Sequence, residues 1–288
     1  MKLSILLTLL ALSFQSFGSN LIIGGTLVNQ NEPIARSTVG LSFQTYQGTS
    51  TCTGTILSNN IVITAAHCVT TPNNELINPD QMKIIFGTDM RSSRAMITPE
   101  LVYIPADYHG LTNSTEMLDF AILFFKEKIP FGFGPAKVLK SEEYLNPGDI
   151  VTLAGYGITN SYSNTGGGLL RKTNVAISHF ENDSEVVLDE RFGSGACRGD
   201  SGGPAYILRN GEYYFFGVTS RGDLRCSQRG IYTLLSSYSE LIFAAKTEFL
   251  NEYMIDEVLN FQIIENYFNL SYDFETPVFE NKLLIGQC

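Results

Sequence analysis

The chain of 288 residues has three histidines, His67, His109 and His179, and one of them stands where an imidazole could serve as a base. His67 lies in Thr64-Ala65-Ala66-His67-Cys68, after the apolar run Ile61-Val62-Ile63-Thr64. Such a run makes a strand, and a ring held at its end sits on a rigid element, as general-base work requires. His109, between Tyr108 and Gly110, reads as a loop residue, and His179, in an alternating segment, as structural. Asp119 directly precedes the apolar run 120–124. Its carboxylate is expected to be part-buried at a strand edge and so to need a partner; otherwise it is an ordinary turn aspartate. The third group is Ser201, in Gly195-Ala196-Cys197-Arg198-Gly199-Asp200-Ser201-Gly202-Gly203-Pro204. Four glycines let this backbone turn sharply and leave the serine Oγ and nearby N–H groups open to a ligand. Most Gly/Ser/Asp clusters are plain surface loops, so the rest of the chain has to decide.

A serine nucleophile, a histidine base and a buried aspartate that orients the base make the acyl-transfer set. Gly199-Asp200-Ser201-Gly202-Gly203 also fits the G-x-S-x-G elbow of α/β-hydrolases, but that order places the histidine after the serine. No histidine follows Ser201. The order available is His67, Asp119, Ser201.

The elements that must hold these groups are mostly strands. Short apolar runs separated by turn residues extend to about Tyr232: 39–43, 61–64, 83–86, 120–124, 150–153 and 213–218. Strands at this spacing, without a long helical period between them, mean a sandwich or barrel. About 210 residues is more than one small barrel needs, and the Gly/Pro-bearing segment 130–147 is the expected crossing between two halves. From Ser237 the period turns helical, with Leu241, Ala244, Ala245, Phe249 and Leu250 near helical spacing. This predicts a terminal helix over 237–250, capped by Ser237 or Ser239. Residues 251–288 form an extension with seven acids and one base; it contains the glycosylation-type triplet Asn269-Leu270-Ser271 and ends on Cys288.

Hydrophobic content of 44% and charged content of 17% describe a globular chain. A net charge of −10 argues against a nucleic-acid partner. Met1-Lys2 and the apolar residues 3–14 have the form of a signal peptide, too short to span a bilayer. Cleavage after Gly18 is expected, with Ser19 as the alternative; no other segment is long and apolar enough for a membrane span. Export places the chain where disulfides persist, outside the cell or in the periplasm. Of the five cysteines, four fall in two close pairs. Cys52–Cys68 and Cys197–Cys226 are therefore the expected bridges, although four cysteines allow three connectivities.

Taken together these segments resemble the chymotrypsin/trypsin family of serine proteases. The resemblance is carried, in the family's order, by Ile22-Ile23-Gly24-Gly25, Thr64-Ala65-Ala66-His67-Cys68, Asp119-Phe120-Ala121-Ile122-Leu123, Gly155-Tyr156-Gly157, Gly199-Asp200-Ser201-Gly202-Gly203-Pro204 and Gly230-Ile231-Tyr232-Thr233. It implies an all-β fold of two antiparallel six-stranded β-barrels packed together, about 22–135 and 136–236, followed by the helix and the acidic extension. It implies a secreted endopeptidase with His67 as base, Asp119 as its orienting acid and Ser201 as nucleophile. The N–H groups of Gly199 and Ser201 would form the oxyanion hole, Ser220 would bond the buried aspartate, and both expected bridges match family bridges. It also implies a zymogen in which residues 19–21 are removed and the new amino group of Ile22 pairs with Asp200. Leu21 stands where a basic residue is usual, so a trypsin-like self-cut is not expected. The positions assigned to the specificity pocket are Gly195, Ser220, Arg221 and Gly222. Glycine at the base supplies no negative charge, which points to apolar or small residues at the cleavage site. Arg198, Arg221, Arg225 and Arg229 leave acidic residues as a second expectation. The implied partners are protein or peptide substrates and proteinaceous inhibitors, with no metal or other cofactor. The alternative is a catalytically silent homologue that acts as a binding module.

Overall fold

The computed structural model describes residues 22–46, 48–111 and 118–253. The signal peptide, the 19–21 propeptide, Cys288, the triplet at Asn269 and nearly all of the acidic extension lie outside them.

Strand β1 (Thr26–Leu27) and a short helix α1 (Pro33–Ser37) lead into seven strands. These are β2 (Thr38–Thr45), β3 (Gly48–Ser58), β4 (Ile61–Thr64), β5 (Met82–Phe86), β6 (Ala95–Ile97), β7 (Leu101–Tyr103) and β8 (Ala121–Phe124). They pair antiparallel in the order β6-β5-β2-β3-β4-β8-β7, with a one-turn helix α2 (Ala66–Val69) after β4. The second sheet contains β9 (Lys137–Val138), β10 (Ile150–Gly155), β11 (Arg171–Asn182), β12 (Glu185–Asp189), β13 (Pro204–Arg209), β14 (Glu212–Gly222) and β15 (Arg229–Leu234). Its order is β1-β11-β10-β13-β14-β15-β12, and pairing of β12 with β11 closes β10 to β15 into a six-stranded barrel. Closure removes the exposed strand edges that otherwise invite aggregation. β1 and the parallel β9 attach outside this ring, so residues 26–27 are tied to the second barrel. The molecule is thus an all-β pair of barrel-like sheets with a terminal helix, α3 (Ser239–Tyr253).

Burial follows the sequence pattern. Over residues 171–177 of β11, alternate side chains are buried, the mark of a strand covered on one face. β4 and β8 are buried at all four positions. For β8 the outer cover is α3, whose Phe249 ring stacks on Phe124 with centroids 4.4 Å apart. Burying a ring of that size contributes about 1.5–3 kcal/mol. The helix begins at Ser239, after a 3-10 turn at Ser236–Tyr238, and runs three residues beyond the expected end. Ser237 is therefore not its cap; its hydroxyl donates to the Asp183 carbonyl.

Two buried tyrosines of the second barrel fasten it to the first. The Tyr206 hydroxyl hydrogen-bonds Ser37 Oγ at 2.9 Å, and that of Tyr156 donates to the Gly87 carbonyl at 2.8 Å. No helix among the described residues is long and apolar enough to cross a membrane.

Candidate active site

Strand pairing brings the first two groups together. β4 and β8 run antiparallel with Thr64 opposite Ala121, so the end of one lies beside the start of the other. His67, on α2 just past the end of β4 rather than on the strand, meets Asp119, just before β8. The His67 ring Nδ1 is 2.9 Å from Asp119 Oδ2, and the His67 backbone N–H donates to Oδ1 at 3.0 Å. Ser220 Oγ donates to Oδ2 at 2.6 Å. Asp119 is completely buried, beyond the part-burial its sequence suggested. Burial pushes its pKa up, but the charge of His67 and the hydrogen bonds from His67 and Ser220 outweigh this and hold it below 3.8. Burial pushes the imidazole down, and attraction and hydrogen bonding to Asp119 outweigh it, leaving His67 above 6.5. A carboxylate at Nδ1 keeps the proton there and leaves Nε2 as the acceptor. His109 and His179 are exposed and take no part.

Ser201 and His67 line one cleft of ≈840 Å³. Gly202 sets the serine loop against the strand end that carries the histidine. Its φ is +77°, and a Cβ there would fall 1.9 Å from Thr64 Oγ1. Of the backbone donors in this loop, Asp200 N–H bonds the Cys197 carbonyl, Gly202 N–H the Thr219 carbonyl and Gly203 N–H the Asp200 carbonyl. The N–H groups of Gly199 and Ser201 have no acceptor among the described residues, and both residues line the cleft. Ser201 Oγ also makes no hydrogen bond there; such bonds are commonly long in unliganded enzymes.

Both expected disulfides form. Cys52–Cys68 ties β3 to α2, and Cys197–Cys226 ties the serine loop to the β14–β15 turn. Cys52, His67 and Cys68 cluster closely enough to suggest metal ligands, but both sulfurs are in the bridge and no thiolate is available. Replacing Cys197 and Cys226 by serine is expected to cost about 2–4 kcal/mol in a denaturant titration, because a long loop of the unfolded chain is released.

Asp200 is buried and accepts N–H groups from Gly157 at 2.7 Å and Cys197 at 2.9 Å. Burial raises its pKa to about 7, opposed by these bonds and by the Arg171 cation. Ile22 is buried, and the carbonyl of Ile23 accepts the Gly195 N–H at 2.9 Å, so this segment lies against the serine loop.

A smaller cavity of ≈170 Å³ adjoins Ser201, with Ser220, Arg221 and Gly222 in its wall. The Ser220 hydroxyl is committed to Asp119. The Arg221 guanidinium is held by Glu185, with bonds of 2.5 and 3.0 Å. Gly195, expected at the pocket base, does not itself line this cavity; it packs against the side chain of Glu190, which does. Glu190 is buried and lines the cavity, a carboxyl group that the reading from Gly195 did not include. In sequence Glu190 sits within Asp189-Glu190-Arg191 and reads as a solvated turn after a strand. Only the absence of side chains at both Gly195 and Gly230, whose space it fills, could have hinted at it.

Residues 22–242 match the trypsin family. The chain is similar to Trypsin-1 of Astacus astacus, 29% identical over 246 residues that cover 77% of this chain and 99% of that protein. The fold, the two bridges and this match together establish that the chain belongs to the trypsin family of serine proteases.

Proposed function

We propose that the protein is an exported serine endopeptidase, made as a zymogen, that hydrolyses peptide bonds through an acyl-enzyme. Ser201 Oγ attacks the scissile carbonyl while His67 Nε2 takes its proton. The oxyanion is held by the N–H groups of Gly199 and Ser201, donors that are typically worth ~3–4 kcal/mol each in the transition state. The tetrahedral adduct collapses, His67 gives the proton to the leaving amine, and water repeats the sequence on the ester. The observation that carries this reading is the imidazole fixed by a fully buried carboxylate in the cleft that holds Ser201 and two unspent backbone donors. A fluorophosphonate probe tests it. Protein whose N-terminus is Ile22 is expected to be labelled on Ser201, and protein still carrying residues 19–21 is not. Absence of labelling on the cut protein would overturn the reading.

The activation step rests on Asp200. Among the described residues its carboxylate has backbone donors but no ammonium partner. Cutting before Ile22 supplies one. A folded-state pKa raised from 3.8 to about 7 means that the folded chain holds a proton the unfolded chain has lost. Stability of the uncut protein therefore falls as pH rises through that window. The cut protein, with the carboxylate paired, is expected to escape this loss. Its melting temperature should exceed that of the uncut protein by an amount that grows from about pH 5 to pH 7, with ~1 kcal/mol corresponding to about 2–4 °C. Parallel melting curves across pH check this, and a constant difference would exclude the pairing.

A further inference from the structure

Glu190 follows β12 and lines the cavity beside Ser201 while only 1% exposed. Two glycines make its room. A Cβ on Gly195 would lie 2.7 Å from Oε2, and one on Gly230 would lie 2.4 Å from Oε1. Oε1 accepts the Ala196 N–H and the Tyr232 hydroxyl, both at 3.2 Å. Oε2 has no hydrogen-bond partner among the described residues. A buried carboxylate with half its acceptors unused costs stability, and no cation among the described residues is paired with it. Arg221 is held by Glu185, and the Arg198 guanidinium reaches out to the Ser161 and Leu224 carbonyls. The other charged neighbours, Asp200 behind Gly195 and Asp223 in the cavity wall, are acids.

We propose that Glu190 is the specificity-determining residue of the cleavage pocket, and that its missing partner is the cationic tip of an arginine or lysine side chain on the acyl side of the scissile bond. The proposal rests on the endopeptidase reading and deepens it. Guanidinium and ammonium donors suit an open carboxylate oxygen, whereas an apolar or acidic side chain would leave it unpaired. A pocket of this kind does not accept Leu21, so removal of residues 19–21 falls to a different protease.

The same carboxyl makes selectivity depend on pH. Burial holds it up to about 7, against the hydrogen bonds from Ala196 and Tyr232 and with added repulsion from Asp200 and Asp223. It is charged above that value and neutral below. Preference for a cationic side chain therefore weakens as pH falls through 7. His67 acts equally on every substrate and cancels in a ratio of substrates.

The test uses protein cut before Ile22 and peptide amides that differ only in arginine, leucine or glutamate before the scissile bond. Binding of benzamidine is measured in parallel by calorimetry, a readout that needs no turnover. The arginine-to-leucine ratio of kcat/KM is expected to exceed ~10 at about pH 8 and to fall toward pH 6. Glu190→Gln, close in shape, is expected to lose ~10–100-fold on the arginine substrate and in benzamidine affinity, with the arginine-to-leucine ratio lowered and flat across pH. A cooperative melting transition with an unchanged circular-dichroism spectrum certifies the variant's fold; should it fail, the wild-type pH profile decides alone. Preference of the wild type for leucine or glutamate, or equal benzamidine affinity in both proteins, would overturn the proposal. Benzamidine binding that depends on Glu190 without any peptide cleavage would uphold the pocket and reject the endopeptidase reading.

Discussion

Ser201→Ala is expected to lower kcat on a peptide amide by ~10⁶-fold and to abolish fluorophosphonate labelling, while the melting temperature stays where it was. The two halves of this result come from different observations. Catalysis collapses because the hydroxyl that attacks the carbonyl is removed. The residual rate, ~10³–10⁴ over water, is what the unspent Gly199 and Ser201 donors and substrate binding supply without a nucleophile. Stability is unchanged because Ser201 Oγ makes no hydrogen bond among the described residues, so the alanine leaves no buried partner unsatisfied. Surface-type changes of this sort stay within about 0.5 kcal/mol. A silent homologue would behave differently, with the wild type already at the variant's rate. Turnover and melting measured side by side separate the cases, and labelling retained in the alanine protein would remove Ser201 from its assigned role.

The parts of this molecule that could be read from sequence are those where one residue type leaves little choice. The His67 and Ser201 motifs are local, and β4 and β8 announce themselves as apolar runs because α3 and the barrel interior cover both faces of β8. What escaped reading depends on partners distant in the chain. β3 has the sequence GTSTCTGTILS, with an exposed, threonine-rich first half, and its pairing with β2 and β4 supplies what its hydrophobicity does not. β11 includes Lys172, Asn174 and Ser178 on its open face and gives no continuous apolar signal. At the site, Arg221 looked available to substrate until Glu185, 36 residues earlier, was seen to hold it. Glu190 carries no signal of its own in the sequence, because the two glycines that make room for it meet it only in space. Charge in a pocket is set by which side chains fill a shared volume, and one strand's sequence does not carry that information.

Asp119→Asn is the sharper test of the site, because it changes protonation without removing the base. In the wild type, Oδ1 accepts the His67 backbone N–H and Oδ2 accepts both the ring Nδ1–H and the Ser220 hydroxyl. An asparagine that keeps its oxygen toward the backbone N–H turns its NH₂ toward the ring. The NH₂ donates to Nδ1, the ring proton moves to Nε2, and His67 can no longer accept from Ser201. A fall of ~10⁴ in kcat is expected near neutral pH, the size known for the corresponding change in a serine-protease triad. The pH profile carries the second prediction. Activity needs the neutral ring, and in the wild type that ring titrates above 6.5. The acid limb of kcat/KM should therefore have its midpoint above that value. In the variant the attraction and hydrogen bond that raise it are gone, burial alone remains, and the limb moves to lower pH. Stability responds with the opposite dependence. The Asp119 carboxylate is held below 3.8, so its contribution is present above that pH and is lost as pH falls through the folded value. The asparagine protein should lack this acid-dependent loss while being less stable at neutral pH, since Ser220 then faces an NH₂ group in a fully buried site. Profiles of kcat/KM and of melting temperature across pH read both effects, and an acid limb that does not move on substitution would mean that Asp119 does not control the base.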